Sequence, residues 1–515
     1  MEKIVDVKAI RLQNFMGFVD TGWIELRAIT LLFGRNSSGK SAIIRAFLLL
    51  RQSLETPVGT GPLAFAPHSG ADLGSFERMV HGLENYDRKP NKSWGEANVD
   101  PGKLRQMTFG FRCQVSLGTI SDLLSEDELY DEDLHFNEWS IDLSLSFQKK
   151  QNSRNAELSA VLMEAPFSLH ADDPARKTIF HAELIDDEWI FSSHAGYQLY
   201  APDNLDLPEE EQVWLPILRI ESETSFLPIL VSEEREEESD FPYIGTKFEK
   251  CRSAIIQLLG GNNLRYLGPI RYEPRRVYLV SDLSSHQWEA RGQSAIKDFL
   301  LEDLVDQAKE RLEFWFRKLD LSESLYPERL ISGSLAEESS EAIQINFHED
   351  GQIRNINIKD VGQGAAQVLP VVLQTLFAPQ KAFIIVEQPE LHLHPEAQAT
   401  MSDLFIESLN ETREANESPT RFYLIETHSE TLFLRLRVEL ARTAAGTAGK
   451  FSLKPEDLIC YYVERDRKKG VSNVERIIFD SKGEFVERPE KFFDFFGQDF
   501  KETMELRKAR SSAKR

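Results

Sequence analysis

Three cysteines in 515 residues, Cys113, Cys251 and Cys460, are too few and too scattered for a disulfide framework or a zinc site. A reducing, cytoplasmic setting is the expectation they leave. No apolar run approaches the ~20 residues that a membrane-spanning helix needs. The opening MEKIVDVKAI carries acids and lacks the apolar segment of a secretory signal. Positive charge is also short: 60 Lys and Arg face 84 Asp and Glu, a formal net charge of −24. That balance opposes sequence-independent adhesion to DNA, so any nucleic-acid contact must come from a local basic surface. There is no sustained heptad register and no repeat at solenoid periods, which argues against a coiled-coil arm or a repeat architecture.

What remains is an ordinary globular composition, 28% charged and 41% hydrophobic, with length for about two to four domains. Residues 29–50, ITLLFGRNSSGKSAIIRAFLLL, organise the rest. Thr30 to Phe33 is a short apolar run of the kind buried in a parallel sheet. Gly34 opens a loop that Gly39, Lys40 and Ser41 close with G-x-x-x-x-G-K-[ST] spacing, and Ala42 to Leu50 reads as a helix. The small residues between, Asn36, Ser37 and Ser38, let successive backbone N–H groups point at one phosphate. The helix N-terminus adds positive dipole there. Lys40 then reaches the β- and γ-phosphates of ATP, and the Ser41 hydroxyl ligates Mg²⁺.

Around this loop, Ile4 to Leu12 and Gly22 to Leu26 read as strands, and residues 88–102 as a polar, turn-rich break. Between 106 and 230 the pattern alternates, in QMTFGFRCQVSL, NEWSIDLSLSFQ, AELSAVLMEAPFSL and KTIFHAELIDDEWIF. Such segments predict antiparallel strands with one wet face. The acidic runs Glu209–Glu211 and Glu233–Glu238 read as solvated loops. Helical periodicity covers 244–260 and 295–319, a second polar break spans 332–341, and strands are expected over Ile343–Phe347 and Ile353–Ile358. Helices and apolar strands alternate from there to about residue 480.

Two later stretches carry chemistry. In KAFIIVEQPELHLHPEAQ, a buried strand ends in Glu387, where a carboxylate that organises Mg²⁺ belongs. In FYLIETHS another strand leads to His428, within reach of a γ-phosphate. His392 and His394 form an H-x-H, too few ligands for a metal site on their own. RYLGPIRYEPRRVY interleaves Arg265, Arg271, Arg275 and Arg276 with tyrosines. That pattern suits phosphate contact and base stacking, or contact with an acidic partner; it also suits a hairpin whose tyrosines pack and whose arginines pair with acids. The basic end LRKARSSAKR reads as a disordered terminus rather than a DNA arm.

LQNFMGF, GRNSSGKS, DVGQGAAQVLP, IIVEQPELHLHP and IETHSE, in this order, resemble the motifs of ABC-type ATPase heads. The likeness is to the RecF/SMC-like and OLD-family group, including stand-alone prokaryotic AAA ATPases of defence operons. It covers residues 8–50 and 359–437 well. The resemblance implies an α/β fold, an ABC-type P-loop ATPase head split by a β-rich and helical insertion. It assigns 1–100 to the N-terminal part of the head, 101–340 to the insertion, 341–485 to the C-terminal part, and 486–515 to an extension with a basic tail. It makes Gly34, Gly39, Lys40 and Ser41 the Walker A residues, Glu387 the magnesium acid and His428 the switch histidine. Asp360 to Gln367 takes the place of the signature motif, with Gly362 where a serine is usual and Gly364 retained. It puts His392 and His394 in a loop that crosses a dimer interface.

Gln388 departs from the pattern, since a glutamate that activates water usually stands there. A glutamine orients water but accepts no proton, so slow hydrolysis is expected. Glu390 is a substitute base if the turn at Pro389 points it inward. A metal-dependent nuclease domain would follow the histidine strand in OLD-type enzymes. Only 87 residues follow His428 here, without a D-x-D, and a nuclease within this chain is not expected. The implied assembly is a homodimer or larger even homo-oligomer working with a separately encoded effector, such as a nuclease, in anti-phage defence. DNA contact would need a local basic surface, and no membrane is involved. The alternatives are a RecF-like ATPase of DNA repair and an ATP-bound scaffold that never turns over.

Overall fold

A computed structural model describes residues 5–55, 62–65, 72–81, 106–115, 139–150, 156–166, 176–185, 188–193, 217–221, 226–233, 241–261, 263–271, 273–279, 292, 295–296, 299–300, 304–321, 324–330, 342–348, 355–413, 420–490 and 492. The expected breaks at 88–102 and 332–341, the acidic residues 209–211 and 234–238, residues 353–354 and the basic tail lie outside these. The chain divides into two compact units. One comprises Met1–Leu26, Ser41–Gly261 and Arg465–Asn473; the other comprises Arg27–Lys40, Asn262–Glu464 and Val474–Arg515.

In the first unit, β1 (Val5–Phe15) and β2 (Phe18–Glu25) join β4 (Met107–Val115), β5 (Trp139–Lys149), β6 (Ala156–Pro166), β7 (Arg176–Ile185) and β8 (Glu188–Ser193). The order is β2-β1-β4-β5-β6-β7-β8, and neighbours pair antiparallel. The alternation explains the sheet. Met107, Phe109, Phe111 and Cys113, and across from them Ile141, Leu143, Leu145 and Phe147, are all fully buried. The intervening positions are polar, as in the Arg112–Asp142 pair, with both bonds at 2.8 Å. KTIFHAELIDDEWIF, which reads as one segment, forms two strands that fold back with Ile185 opposite Glu188. Residues 5–25 therefore share a sheet with strands of the 101–340 segment. β9 (Ile217–Glu221) and β10 (Ile229–Glu233) form a separate antiparallel pair. The unit also holds α2 (Phe76–Met79), α3 (Phe241–Leu259) and all but the first residue of α1 (Lys40–Glu55).

The second unit holds, apart from residues 465–473 of β18 and β19 and the turn that joins them, a sheet ordered β11-β16-β17-β3-β18-β19-β20. Its members are β3 (Ile29–Phe33), β11 (Leu264–Leu267), β16 (Phe383–Glu387), β17 (Phe422–Glu426), β18 (Leu458–Asp466), β19 (Val471–Phe479) and β20 (Phe485–Glu487). The pairs from β11 to β18 are parallel. ITLLF and FIIVE are buried at every position, as strands covered on both faces must be. A smaller sheet sets β14 (Ala342–His348) between β12 (Tyr278–Leu279) and β13 (Ser324–Leu330), with β15 (Ile356–Asn357) also on β14. In the described part of the strand expected over 353–358, Ile356–Asn357 pairs as a strand and a 3-10 turn at Ile358–Asp360 follows it. The helices are α4 (Leu304–Lys318), α5 (Gln363–Phe377), α6 (Pro395–Glu411) and α7 (Glu430–Ala444). Trp315, Phe316, Phe347, Phe405, Tyr423 and Phe433 are among the large members of one continuous core. No described helix is long and apolar enough to cross a membrane.

Candidate functional site

Ligands of open α/β sheets gather beyond the carboxyl ends of parallel strands. β3, β16 and β17 are consecutive neighbours in the sheet, and their carboxyl ends lead into Gly34, Glu387 and Glu426. Gly34 has φ of +147°, and a Cβ there would stand 2.2 Å from the Val463 carbonyl oxygen, so only glycine fits. Arg35, Asn36 and Ser37 are exposed, while Ser38 is buried with no partner for its hydroxyl among the described residues. Gly39 at φ +118° completes the loop, and Lys40 and Ser41 begin α1.

Lys40 is 3% exposed. Its ammonium donates to the carbonyls of Gly34 and Arg35, both at 3.0 Å, and lies 3.7 Å from Glu426 Oε1. Burial lowers its pKa; Glu426, Glu387 and Glu390 oppose that shift. Glu426 stands directly opposite Glu387 in the parallel register, which puts two carboxylates side by side at the sheet edge. Tyr266 on β11 donates its hydroxyl to Glu387 Oε1 at 2.6 Å.

After Glu387 the backbone turns through Gln388 at φ +47°, a conformation that costs a non-glycine residue about 1 kcal/mol or more. Three bonds hold it there. The Gln388 N–H donates to the Glu426 carbonyl at 2.7 Å, while its own carbonyl accepts from Leu391 N at 3.3 Å and Arg271 Nη2 at 2.9 Å. The turn does point Glu390 inward, at 7% exposure. Its Oε1 accepts the His428 N–H at 2.8 Å, and its Oε2 has no partner among the described residues. Burial pushes the Glu390 pKa up, against the opposing effects of the His428 N–H, of its own backbone, of a hydrogen bond from the Thr427 side chain and of Arg271.

The histidine strand ends in a local lock. Ser429 caps α7 by accepting from Leu432 N at 3.1 Å, and Thr427 Oγ1 accepts the Ser429 N–H at 3.0 Å. His428 between them is half-buried, and desolvation, with Lys40 close by, lowers its pKa to about 4. An imidazole so depressed is neutral in the folded chain at pH 7. Its contribution to stability is full above the ordinary value of 6.5 and is lost as pH falls toward about 4. His428→Gln should therefore flatten the fall of thermal stability between pH 7 and 5. An unchanged slope would mean that the ring is solvated.

The signature-like stretch begins with exposed Lys359 and Asp360, and exposed Gly362 is the N-cap residue of α5. A Cβ on Gly364 would stand 3.0 Å from the His392 carbonyl, so this glycine lets α5 approach the ELHLHP turn. His394 Nδ1 accepts the Glu396 N–H and caps α6, a structural task, and His392 is exposed. Among the described residues no three His, Cys, Asp or Glu gather to hold a metal unaided.

The four arginines proposed for one basic surface separate. Arg271 is 4% exposed and donates from Nη2 to the carbonyls of Glu387, at 3.0 Å, and Gln388. It is therefore an interior residue, and the surface expected for it is corrected on that ground. Arg276 is exposed but spends both terminal nitrogens on Asp360, at 2.6 and 2.7 Å. Arg275 is exposed and Arg265 half-buried. Sequence reasoning missed Glu426 and Tyr266, although Glu426 lies inside the quoted IETHSE. A strand-terminal acid beside the Glu387 strand was the signal that could have found it.

Residues 29–435 match the model of the family described as AAA domain, putative AbiEii toxin, Type IV TA system. Among solved structures, the chain is similar to an SMC head bound to the C-winged helix domain of ScpA. The identity is 11% and the TM-score 0.38, with 92% of this chain and 98% of that one covered. It is also similar to the SMC head domain from Thermotoga maritima, at 10% identity and TM-score 0.34, covering 91% and 98%. A third is the Smc head with an extended coiled coil bound to the C-terminal domain of ScpA derived from Pyrococcus furiosus. There the identity is 10% and the TM-score 0.36, covering 92% and 97%. No curated protein matches the chain in sequence.

Proposed function

This chain belongs to the AAA-domain family described as putative AbiEii toxin, Type IV TA system, and from that membership we propose an ABC-type ATPase of the RecF/SMC-like and OLD-family group. Its nucleotide-sandwiched dimer is a sensor or assembly switch in prokaryotic anti-phage defence, paired with a separately encoded effector such as a nuclease. The observation that carries this reading is Lys40, buried beside Glu426 with the Glu387 carboxylate next in register. A cation held in that position by two carbonyls and a carboxylate is ready to exchange them for phosphate oxygens. The partnerless Ser38 hydroxyl in the loop fits the same ligand.

Mg²⁺ fits the donors present. Glu387 and Ser41 are hard oxygen ligands, and phosphate and water would complete the shell. When bound, the ion spreads the negative charge of the phosphates. The exposed Gly362 at the N-terminus of α5 suits a surface that meets the phosphate of a second protomer. The head reading groups residues 1–100 with 341–485, around 101–340 as insertion and before 486–515 as extension. Glu390 is the general base, since Gln388 cannot accept a proton and its backbone is committed to holding the turn.

Steady-state phosphate release from Mg²⁺-ATP, with mass measured by light scattering, tests the reading on the native chain and Lys40→Ala. The expected result is slow turnover that falls about a hundredfold or more in the variant, together with loss of the ATP-dependent dimer. Tight binding without turnover in the native chain would instead favour the permanent clamp, the reading that Gln388 supports.

A further inference from the structure

A guanidinium withdrawn from water costs several kcal/mol unless its donors are matched. Arg271 meets that cost incompletely. It is 4% exposed, and both of its bonds come from one nitrogen, Nη2, to the carbonyls of Glu387 and Gln388. Nε and Nη1 are buried without partners among the described residues. Burial lowers its pKa to about 10, against the attraction of the Glu390 and Glu387 carboxylates. Glu390 in turn, held by the His428 N–H and the Thr427 side chain, has one buried oxygen, Oε2, without a partner among the described residues. A buried cation and a buried carboxylate that attract each other, each with unspent hydrogen-bonding atoms, can be joined by a small polar molecule. Water is the molecule with both the donors and the acceptors to join them.

We propose that Arg271 is a positioning residue for hydrolysis: it fixes the Glu387–Gln388 turn, and its Nε or Nη1 holds, together with Glu390 Oε2, the water that attacks the nucleotide. The inference rests on the reading of the site as an ATPase. In the step, a proton passes from this water to Glu390 Oε2 and the water oxygen bonds to the γ-phosphorus. The bond from that phosphorus to the β,γ-bridging oxygen breaks, and its electron pair leaves with ADP. Arg271 donates to the water oxygen and so directs one of its protons toward the carboxylate. It also supplies the orienting role for which Gln388, its backbone locked in the turn, is poorly placed.

The test compares ATP affinity and steady-state turnover in the native chain, Lys40→Ala, Arg271→Gln and Arg271→Lys. Expected are an ATP Kd within about threefold of native for both Arg271 variants and a kcat about tenfold or more lower for Arg271→Gln. Partial recovery is expected in Arg271→Lys, which keeps the charge and a donor. Native turnover that Lys40→Ala removes, with kcat unchanged in Arg271→Gln, would overturn the inference and leave the ATPase reading intact. Native turnover that is absent, or indifferent to Lys40, would overturn the ATPase reading itself. Should the variants not fold, a crystal structure of the native chain that orders water decides the point. Density bridging Arg271 and Glu390 Oε2 supports the inference, and protein groups filling those donors would overturn it.

Discussion

With Glu390 replaced by glutamine, ATP binds with native affinity while turnover falls by about 10²–10⁴-fold, the usual worth of a general base. The substitution keeps the shape and the acceptor for His428 N–H, so the histidine strand stays where Glu390 Oε1 now holds it. What is lost is the ability to take a proton. Gln388→Glu is the companion variant, because it restores the residue type usual at that position. If it leaves turnover unchanged while Glu390→Gln abolishes it, proton removal belongs to Glu390 and hydrolysis need not be slow. If instead Glu390→Gln turns over normally and Gln388→Glu accelerates many-fold, the native chain lacks a base and acts as a clamp.

Phe433→Ala is expected to destabilise the second unit by about 3–5 kcal/mol, the cost of emptying a fully packed aromatic position. Phe433 is 1% exposed and meets Phe33 edge-on at 5.0 Å, Phe492 at 5.5 Å and Phe479 at 5.6 Å. Phe33 is the last residue of β3, immediately before Gly34. The cavity therefore opens under the base of the phosphate loop. Differential scanning calorimetry should show the transition moved down by several degrees, and ATP affinity should weaken with it. A midpoint within a degree of native would mean that the cluster collapses to fill the space, and that β3 is held by its strand partners alone.

The elements that were legible in the sequence are those whose signals are local. GRNSSGKS names its own loop, and FIIVEQ and FYLIETHS name buried strands because four apolar residues in a row satisfy no amphipathic period. The fold class followed from the resemblance that these and the other motifs carry to ABC-type ATPase heads. Arg271 and Glu426 were not legible in this way. Interleaved arginines and tyrosines describe a wet hairpin and a buried clamp equally well, and only the position of Glu387 and Gln388 decides between them. Glu426 acquires its role from the register of β17 on β16 and from Lys40 on a distant loop. β1 and β2 lie next to the loop strand in sequence, yet they pair with β4 and each other. Alternation along a strand shows which face is wet but not which partner it chooses.

The sheet that carries the site also sets a timetable for its own birth. β3 occupies residues 29–33, but its two neighbours are β17 at 422–426 and β18 at 458–466. At about 5–20 residues per second on the ribosome, the apolar strand ITLLF waits on the order of 20–80 s before either neighbour exists. During that interval it is an unpaired hydrophobic edge joined to a nascent loop that has nothing to bind. Productive synthesis should accordingly depend on chaperone capacity, and a truncated transcript ending before residue 422 should yield aggregate rather than a partial ATPase.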